Sequence, residues 1–353
     1  MSMSRILLLF LLLMPLQAGA VAVRVPDLFE AAVPVEDQSR GEREAALARA
    51  LAEVVVRVSG QADAHLQPAV VRAMTGAARL VQQYSYRQAA PEEEGGEPRL
   101  LLQVRFDRRA VEKLIAEGGL PLWPERRPLT LVWLVVEAGP ERRLVSGEVA
   151  PELQQVLEAE GRRRGVPLML PLWDLEDRSR VSLAEIWGGF LEGVLEASRR
   201  YGVDSVLVGR LFRRSDGAWS GSWTLHTPEE ELRWQSEGEA MTALLASGVD
   251  VLADRLASTY AVRGGGEENG SFHLVVEGVE GLEGYARVER YLLEELEVVE
   301  RGQLESLSVG RLVFRLHLKG GEEDLRRALA LDRLLLPLDA GDTAAGLLYR
   351  FEP

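Results

Sequence analysis

Leu129-Thr-Leu-Val-Trp-Leu-Val-Val-Glu137 decides the fold. The run is apolar throughout rather than alternating, so the strand it predicts must be covered on both faces. Downstream of it, the spacing predicts a helix over Pro151–Arg164 stopped by Gly165, and a second strand over Pro167–Trp173. Ser182 then caps one long helix that carries Leu183, Ile186, Trp187, Phe190, Leu191, Val194 and Leu195. Val203–Phe212 is a third strand, and Asp216-Gly217 is a hairpin turn into Trp219–His226. Leu232–Glu237 completes the sheet and Met241–Tyr260 closes it as a helix. Strand and helix alternate and then give way to a meander, which implies a mixed sheet covered by helices over residues 129–262.

Two joints bound this module. Leu120-Pro-Leu-Trp-Pro-Glu-Arg-Arg-Pro128 is proline-rich and reads as a stiff connector, while Val262–Ser271 is polar and glycine-rich and reads as a flexible linker. Before the first joint, residues 21–120 predict a small α+β module. Ser39 and Glu42 form a capping box, and Ala46, Leu47, Ala50, Leu51, Val54, Val55 and Val58 recur at helical spacing up to Gly60. Tyr84–Gln88 and Leu100–Phe106 predict a hairpin across a polar loop at Pro91–Pro98. After the second joint, residues 271–353 read as βαββαβ, the ferredoxin-like split arrangement, with Leu334–Leu338 or Leu347–Phe351 as the fourth strand.

The amino terminus predicts an address. A charge at Arg5, an apolar run Ile6–Leu13, the breakers Pro15 and Gln17, and small residues at Ala18 and Ala20 predict a signal peptide over residues 1–20, cleaved after Ala20. The apolar run is shorter than the ~20 residues that span a bilayer, so no transmembrane anchor is expected. The chain has no cysteine, which excludes a lipid anchored on a cysteine after the cleavage site and any disulfide framework. The formal net charge of −14 argues against nucleic acid as a partner. The densest basic run, Arg162-Arg163-Arg164, reads as a solvated helix end.

No pattern names a reaction. His65, His226, His273 and His317 stand far apart in sequence without metal-ligand spacing, Gly264-Gly265-Gly266 lacks the lysine of a phosphate loop, and no Gly-x-Ser-x-Gly elbow occurs. Neither a metal nor a cofactor is expected. The candidate ligand-binding residues are Trp173, Asp174 and Asp177, with Glu176 between them, because they follow a strand of an open α/β sheet where such sheets bind ligands. The competing expectation is a loop in which Asp177 or Ser179 caps the next helix. Six of the seven tryptophans lie in the middle module. Trp219, Gly221, Trp223 and Leu225 fall on one strand face, and Trp187 and Phe190 are expected to pack onto it as core.

Leu28–Ser39, Val56–Gly60 and Gln82–Tyr86 resemble the hallmark segments of the domain-of-unknown-function 2066 family of Gram-negative proteobacteria. The resemblance implies a periplasmic address and carries no activity. The modular layout is similar to that of envelope proteins with a TolB-amino-terminal-like α/β module, the flagellar T-ring protein among them. The expected function is therefore a non-catalytic periplasmic binding or scaffold protein that contacts other proteins of the cell envelope. The alternative is a periplasmic hydrolase of cell-wall glycan or peptide that uses acidic residues near Trp173–Asp177.

Overall fold

The computed structural model describes residues 23–89, 98–139, 141–147, 149–264, 271–338 and 347–352. The expected signal peptide with Ala18 and Ala20, most of the polar loop at 91–98 and most of the glycine-rich linker lie outside the described residues. The chain is a mixed α/β protein built in several modules, each with its own sheet and helices.

The amino-terminal elements are β1 (Val23–Arg24), β2 (Glu30–Pro34), α1 (Arg40–Ser59), α2 (Pro68–Met74), β3 (Val81–Ala89), β4 (Arg99–Phe106) and α3 (Arg108–Glu117). Ser39 caps α1 by accepting from Glu42 N, and Gly60 ends it in the left-handed region. The buried face of α1 is the set read from its spacing, and it packs on Leu102, Val104 and Phe106 of an antiparallel sheet ordered β2-β4-β3. β3 and β4 pair as the expected hairpin.

The connector is part of the structure and not a spacer. β5 (Arg126–Arg127) pairs with β1, Leu122 bridges Val262, and Trp123 N donates to Val58 O. Arg127 is fully buried beneath the Trp123 ring, its guanidinium carbon 4.0 Å from the ring centre. It donates to five carbonyls, those of Pro124, Trp123, Arg57, Arg164 and Gly165. Burial, with the nearby guanidinium of Arg57, pushes its pKa down. The acceptors include the last carbonyls of two helices, whose partial negative charge favours the cation.

The middle module contains β6 (Thr130–Ala138), β7 (Glu141–Leu144), α4 (Pro151–Arg164), β8 (Leu168–Met169), α5 (Leu175–Arg180), α6 (Leu183–Gly188) and α7 (Leu191–Ser198). It continues with β9 (Ser205–Arg213), β10 (Trp219–His226), β11 (Glu231–Gly238) and α8 (Met241–Tyr260). The sheet runs β11-β10-β9-β6-β7, with β8 also on β6; β6 is parallel to β8 and β9 and the rest is antiparallel. The run that predicted a strand covered twice is covered twice. Val132, Leu134 and Val136 meet α4 and α8, and Leu131, Trp133 and Val135 meet α6 and α7.

Three expectations change here. The long helix after Ser182 is two helices, because Gly189 takes φ +75° and caps α6. Apolar spacing survives such a break, so periodicity does not reveal it. Trp187 and Phe190 do not pack on the Trp223 face: Trp187 lies edge-on to Phe212 on the opposite side of the sheet, and Phe190 is 66% exposed. The Arg162–Arg164 run is solvated only at Arg162. Arg164 is fully buried and donates to Asp250, Asp254 and Gly60 O, and Arg163 pairs with Glu160 and Asp250.

Trp223 occupies a slot made by the absence of side chains. A Cβ on Gly209, its cross-strand neighbour, would lie 2.6 Å from the ring, and one on Gly248 of α8 would lie 2.5 Å from it. The indole N–H donates to Ser236 Oγ at 2.8 Å, and the ring stacks on Trp234.

The last module has β12 (Ser271–Val279), α9 (Gly281–Arg290) followed by a π turn at Tyr291–Glu295, β13 (Val299–Ser308), β14 (Gly310–Leu318), α10 (Glu322–Asp332), β15 (Leu335–Pro337) and β16 (Leu347–Phe351). The sheet order is β13-β14-β12-β16-β15. Both candidate fourth strands form. β16 lies beside β12 and parallel to it, and β15 takes the edge. Both helices pack on the face made by Leu274, Val276, Leu312, Phe314 and Leu316. Arg126 holds this module to the connector through Glu295 and Asp332, and Arg108 pairs with Glu297 at 3.2 Å.

Candidate functional site

The strand of the middle sheet that carries the expected ligand residues is short. β8 ends at Met169, and the chain turns through Leu170–Asp174 into α5. Trp173 sits at φ +54°, a conformation that costs a non-glycine residue ~1–3 kcal/mol and persists only where its surroundings impose it. Those surroundings are Trp133, against which its ring packs edge-on at 6.3 Å, and the two aspartates that follow.

The structure brings Trp173, Asp174 and Asp177 together, and adds Arg200 and Tyr201 from the turn after α7. Asp177 is fully buried. One carboxylate oxygen accepts from Trp173 N at 2.8 Å and from the Tyr201 hydroxyl at 2.5 Å, while the other accepts from Arg200 at 3.2 Å. The Tyr201 oxygen in turn accepts from Leu172 N at 2.9 Å. Asp174 caps α5 by accepting from Asp177 N at 3.0 Å, and Arg200 grips both its oxygens at 2.8 Å in a fork. Glu176 lies 3.4 Å from the same arginine.

Both aspartates are thus occupied, by N–H groups of their own loop and by Arg200 and Tyr201, while Glu176 pairs with Arg180 at 2.9 Å. The hydrogen bonds from Arg200 and then from Asp177 N hold Asp174 well below the usual carboxylate range. Burial, and donation to Asp177, push Tyr201 well above the usual phenol. Acid catalysis by a carboxyl group needs the opposite shift, upward toward the working pH. Clefts lie at other places on the chain. One is at Asp204, His226 and Arg333, and another at Arg126, Arg290 and Tyr291. Among the described residues no group of three or more histidine, aspartate and glutamate side chains could hold a metal ion.

Among the exposed charges of Asp174, Glu176 and Arg178, the loop also offers apolar side chains to solvent. Leu172 is 65% exposed and Leu175 is 85% exposed, the first just before the clamped segment Trp173–Asp177 and the second within it. Reading along the chain missed both leucines and also Arg200 and Tyr201. The arginine and tyrosine lie more than twenty residues beyond Asp177 and belong to no motif with it. Their only signal in the sequence is that they follow the end of a predicted helix.

Residues 22–124 match the model of a family described as a domain of unknown function, DUF8605. This overturns the resemblance to the domain-of-unknown-function 2066 family, since Leu28–Ser39, Val56–Gly60 and Gln82–Tyr86 all fall inside the matched region. Short strand and helix segments of this kind follow from burial pattern alone and recur among unrelated α+β modules, whereas a match across a whole module tests the spacing between them. No curated protein matches the chain. Among solved structures, a ribosomal subunit interface protein from Coxiella burnetii is similar over 37% of this chain and 93% of its own. It is 11% identical with a TM-score of 0.19, a likeness too slight to bear on fold or function. No helix among the described residues is long and apolar enough to cross a membrane.

Proposed function

We propose that the chain is a non-catalytic binding or scaffold protein, exported to the periplasm, that contacts other proteins of the cell envelope through rigid surface features. One observation carries this reading. The loop that would have to supply a hydrolase's acid and base spends both aspartates on its own backbone, Arg200 and Tyr201, and the rigid turn so formed displays Leu172 and Leu175 to solvent. Apolar anchors on a pre-ordered loop lose little entropy on docking, which is how a few residues come to dominate an interface. The hydrolase alternative has no comparable support, because the oxygens of Asp174 and Asp177 are already taken by N–H groups of the loop, Arg200 and Tyr201.

The export half of the proposal rests on the amino-terminal pattern, and the three-module division at 21–120, 129–262 and 271–353 is supported by separate hydrophobic cores. A TolB-amino-terminal-like reading of the middle module is favoured by its parallel β6–β9 pair with helices on both faces. A ferredoxin-like reading of the last module is favoured by the βαββα order with both helices on one face, although β15 and β16 depart from the expected single strand.

The test is a photo-crosslinking amino acid at position 175 or, as a control, at the exposed position 190, used in intact cells. A discrete crosslinked product from position 175 that disappears with Leu172→Glu is expected. Equal labelling from both positions, or none, refutes the loop as a contact. Amino-terminal sequencing of the osmotic-shock fraction should begin at Val21; an intact Met1 refutes export by cleavage.

A further inference from the structure

A sheet edge is a row of unpaired N–H and C=O groups, and folded proteins guard such edges with proline, charge, bulges or brevity. The edges of the described sheets follow this rule, with one departure. β2 is short and contains Pro34, β15 is short and contains Pro337, and β8 has two residues. β7 carries Glu141, Arg142 and Arg143, and β11 carries Glu231, Arg233 and Glu237. β13 is long, but it has two breaks in register together with Glu300, Arg301 and Glu305. β3 is nine residues long, pairs among the described residues with β4 alone, and holds neither proline nor glycine and one charge, Arg87. Its single irregularity lies at its start, between Val81 and Gln83. Gln82, Gln83, Tyr84, Ser85, Arg87 and Gln88 are exposed.

The strand is also close to a palindrome. Val81-Gln-Gln-Tyr-Ser-Tyr-Arg-Gln-Ala89 reads nearly the same from either end about Ser85. Antiparallel pairing of two identical strands about a twofold axis sets residue i against residue j and j against i. With the axis at Ser85, Tyr84 faces the partner's Tyr86, Gln82 faces the partner's Gln88, Gln83 faces the partner's Arg87, and Ser85 faces its own counterpart. Aromatic meets aromatic and amide meets amide, and no two like charges stand opposite each other, although each chain carries a net charge of −14. The twofold axis stands perpendicular to the sheet, so the α1 layers of both copies stay on one side.

We propose that β3 is a self-pairing edge: two copies of this chain join β3 to β3, antiparallel about Ser85, into one six-stranded sheet. The proposal is independent of the Leu172–Leu175 loop, which lies on another module. Self-association should strengthen with added salt, because salt screens the repulsion between the acidic bodies while the neutral contact is unaffected.

The absence of cysteine makes the test clean. Residues directly opposite across an antiparallel pair lie ~4.5–5.5 Å apart at Cα, within reach of a disulfide. In the full chain, Ser85→Cys should give a disulfide-linked dimer on mild oxidation. Gln103→Cys, facing Ser85 one strand further in on β4, should stay monomeric, because three strand spacings would separate the pair by ~14 Å. Gln82→Cys and Gln88→Cys should each crosslink poorly alone, and their mixture should yield about tenfold more dimer than either, which reports the register. A native chain that sediments as a monomer at every concentration overturns the proposal. So does equal crosslinking of Ser85→Cys and Gln103→Cys, which would mark chance collision.

Discussion

Replacing Trp223 with alanine should destabilise the middle module by ~3–5 kcal/mol, the range for deleting a large buried aromatic side chain. The indole is 1% exposed. A tryptophan side chain buries ~150–250 Å², worth about 4–6 kcal/mol gross at ~25 cal/mol per Å². Alanine keeps a small part of this, and the Ser236 hydroxyl loses its donor. At ~4 °C per kcal/mol, the value between those of 60–100-residue and 150–250-residue units, the melting transition of this module should fall by roughly 12–20 °C. Gly248 supplies a sharper check. Alanine in the middle of a helix is ordinarily favoured over glycine by ~1 kcal/mol, yet here its Cβ would stand 2.5 Å from the indole. Gly248→Ala should therefore destabilise the native chain, and it should stabilise the chain once Trp223→Ala has emptied the slot. Urea unfolding followed by far-ultraviolet dichroism on the four members of the cycle measures both signs. A Gly248→Ala effect of the same sign in both backgrounds refutes the slot. An indole at 223 that iodide quenches in the folded chain refutes the core assignment itself.

Trp187→Ala should cost less than half as much as Trp223→Ala in the same unfolding assay, because its half-buried ring lies under Arg142 at the surface. Arg127→Met should destabilise the chain by about 3 kcal/mol, since it leaves helix-terminal carbonyls buried without a donor; a loss below ~1 kcal/mol in urea would show that water replaces the guanidinium. Arg200→Met should speed amide hydrogen exchange at Trp173 and Asp177 while leaving β6 protected, and unchanged exchange there would refute the clamp. Asp174 has a folded pKa below its unfolded value, so the clamp's contribution is present above the ordinary carboxylate range and is lost as the pH falls beneath it. A nuclear magnetic resonance titration in which the Asp174 carboxyl protonates at the ordinary aspartate pH would contradict this.

Much of the scaffold was legible along the chain because burial imposes a period on whichever element carries it. The α1 face from Ala46 to Val58, the doubly covered β6 run and the alternation of β14 each follow from one strand or helix meeting one apolar layer. The break at Gly188-Gly189 was not legible, since an apolar stripe continues through a turn that redirects the helix. The candidate loop was legible only in part. Its strand-end position marked Trp173, Asp174 and Asp177, but spacing alone cannot distinguish a carboxylate awaiting a ligand from one already held.

By itself, the sequence determined local conformation and bulk character: helix caps, apolar faces, the absence of cysteine, the acid balance and the amino-terminal run. Only the tertiary structure decided what long-range polar partners do. Arg200 and Tyr201 reach back to Asp174 and Asp177, Arg127 gathers the ends of α1 and α4, and Arg164 reaches Asp250 and Asp254 across the module. A charged side chain looks the same in sequence whether water or another part of the chain solvates it. Folding makes that choice, because burial removes water and leaves each charge only the donors or acceptors that the packed backbone places within reach.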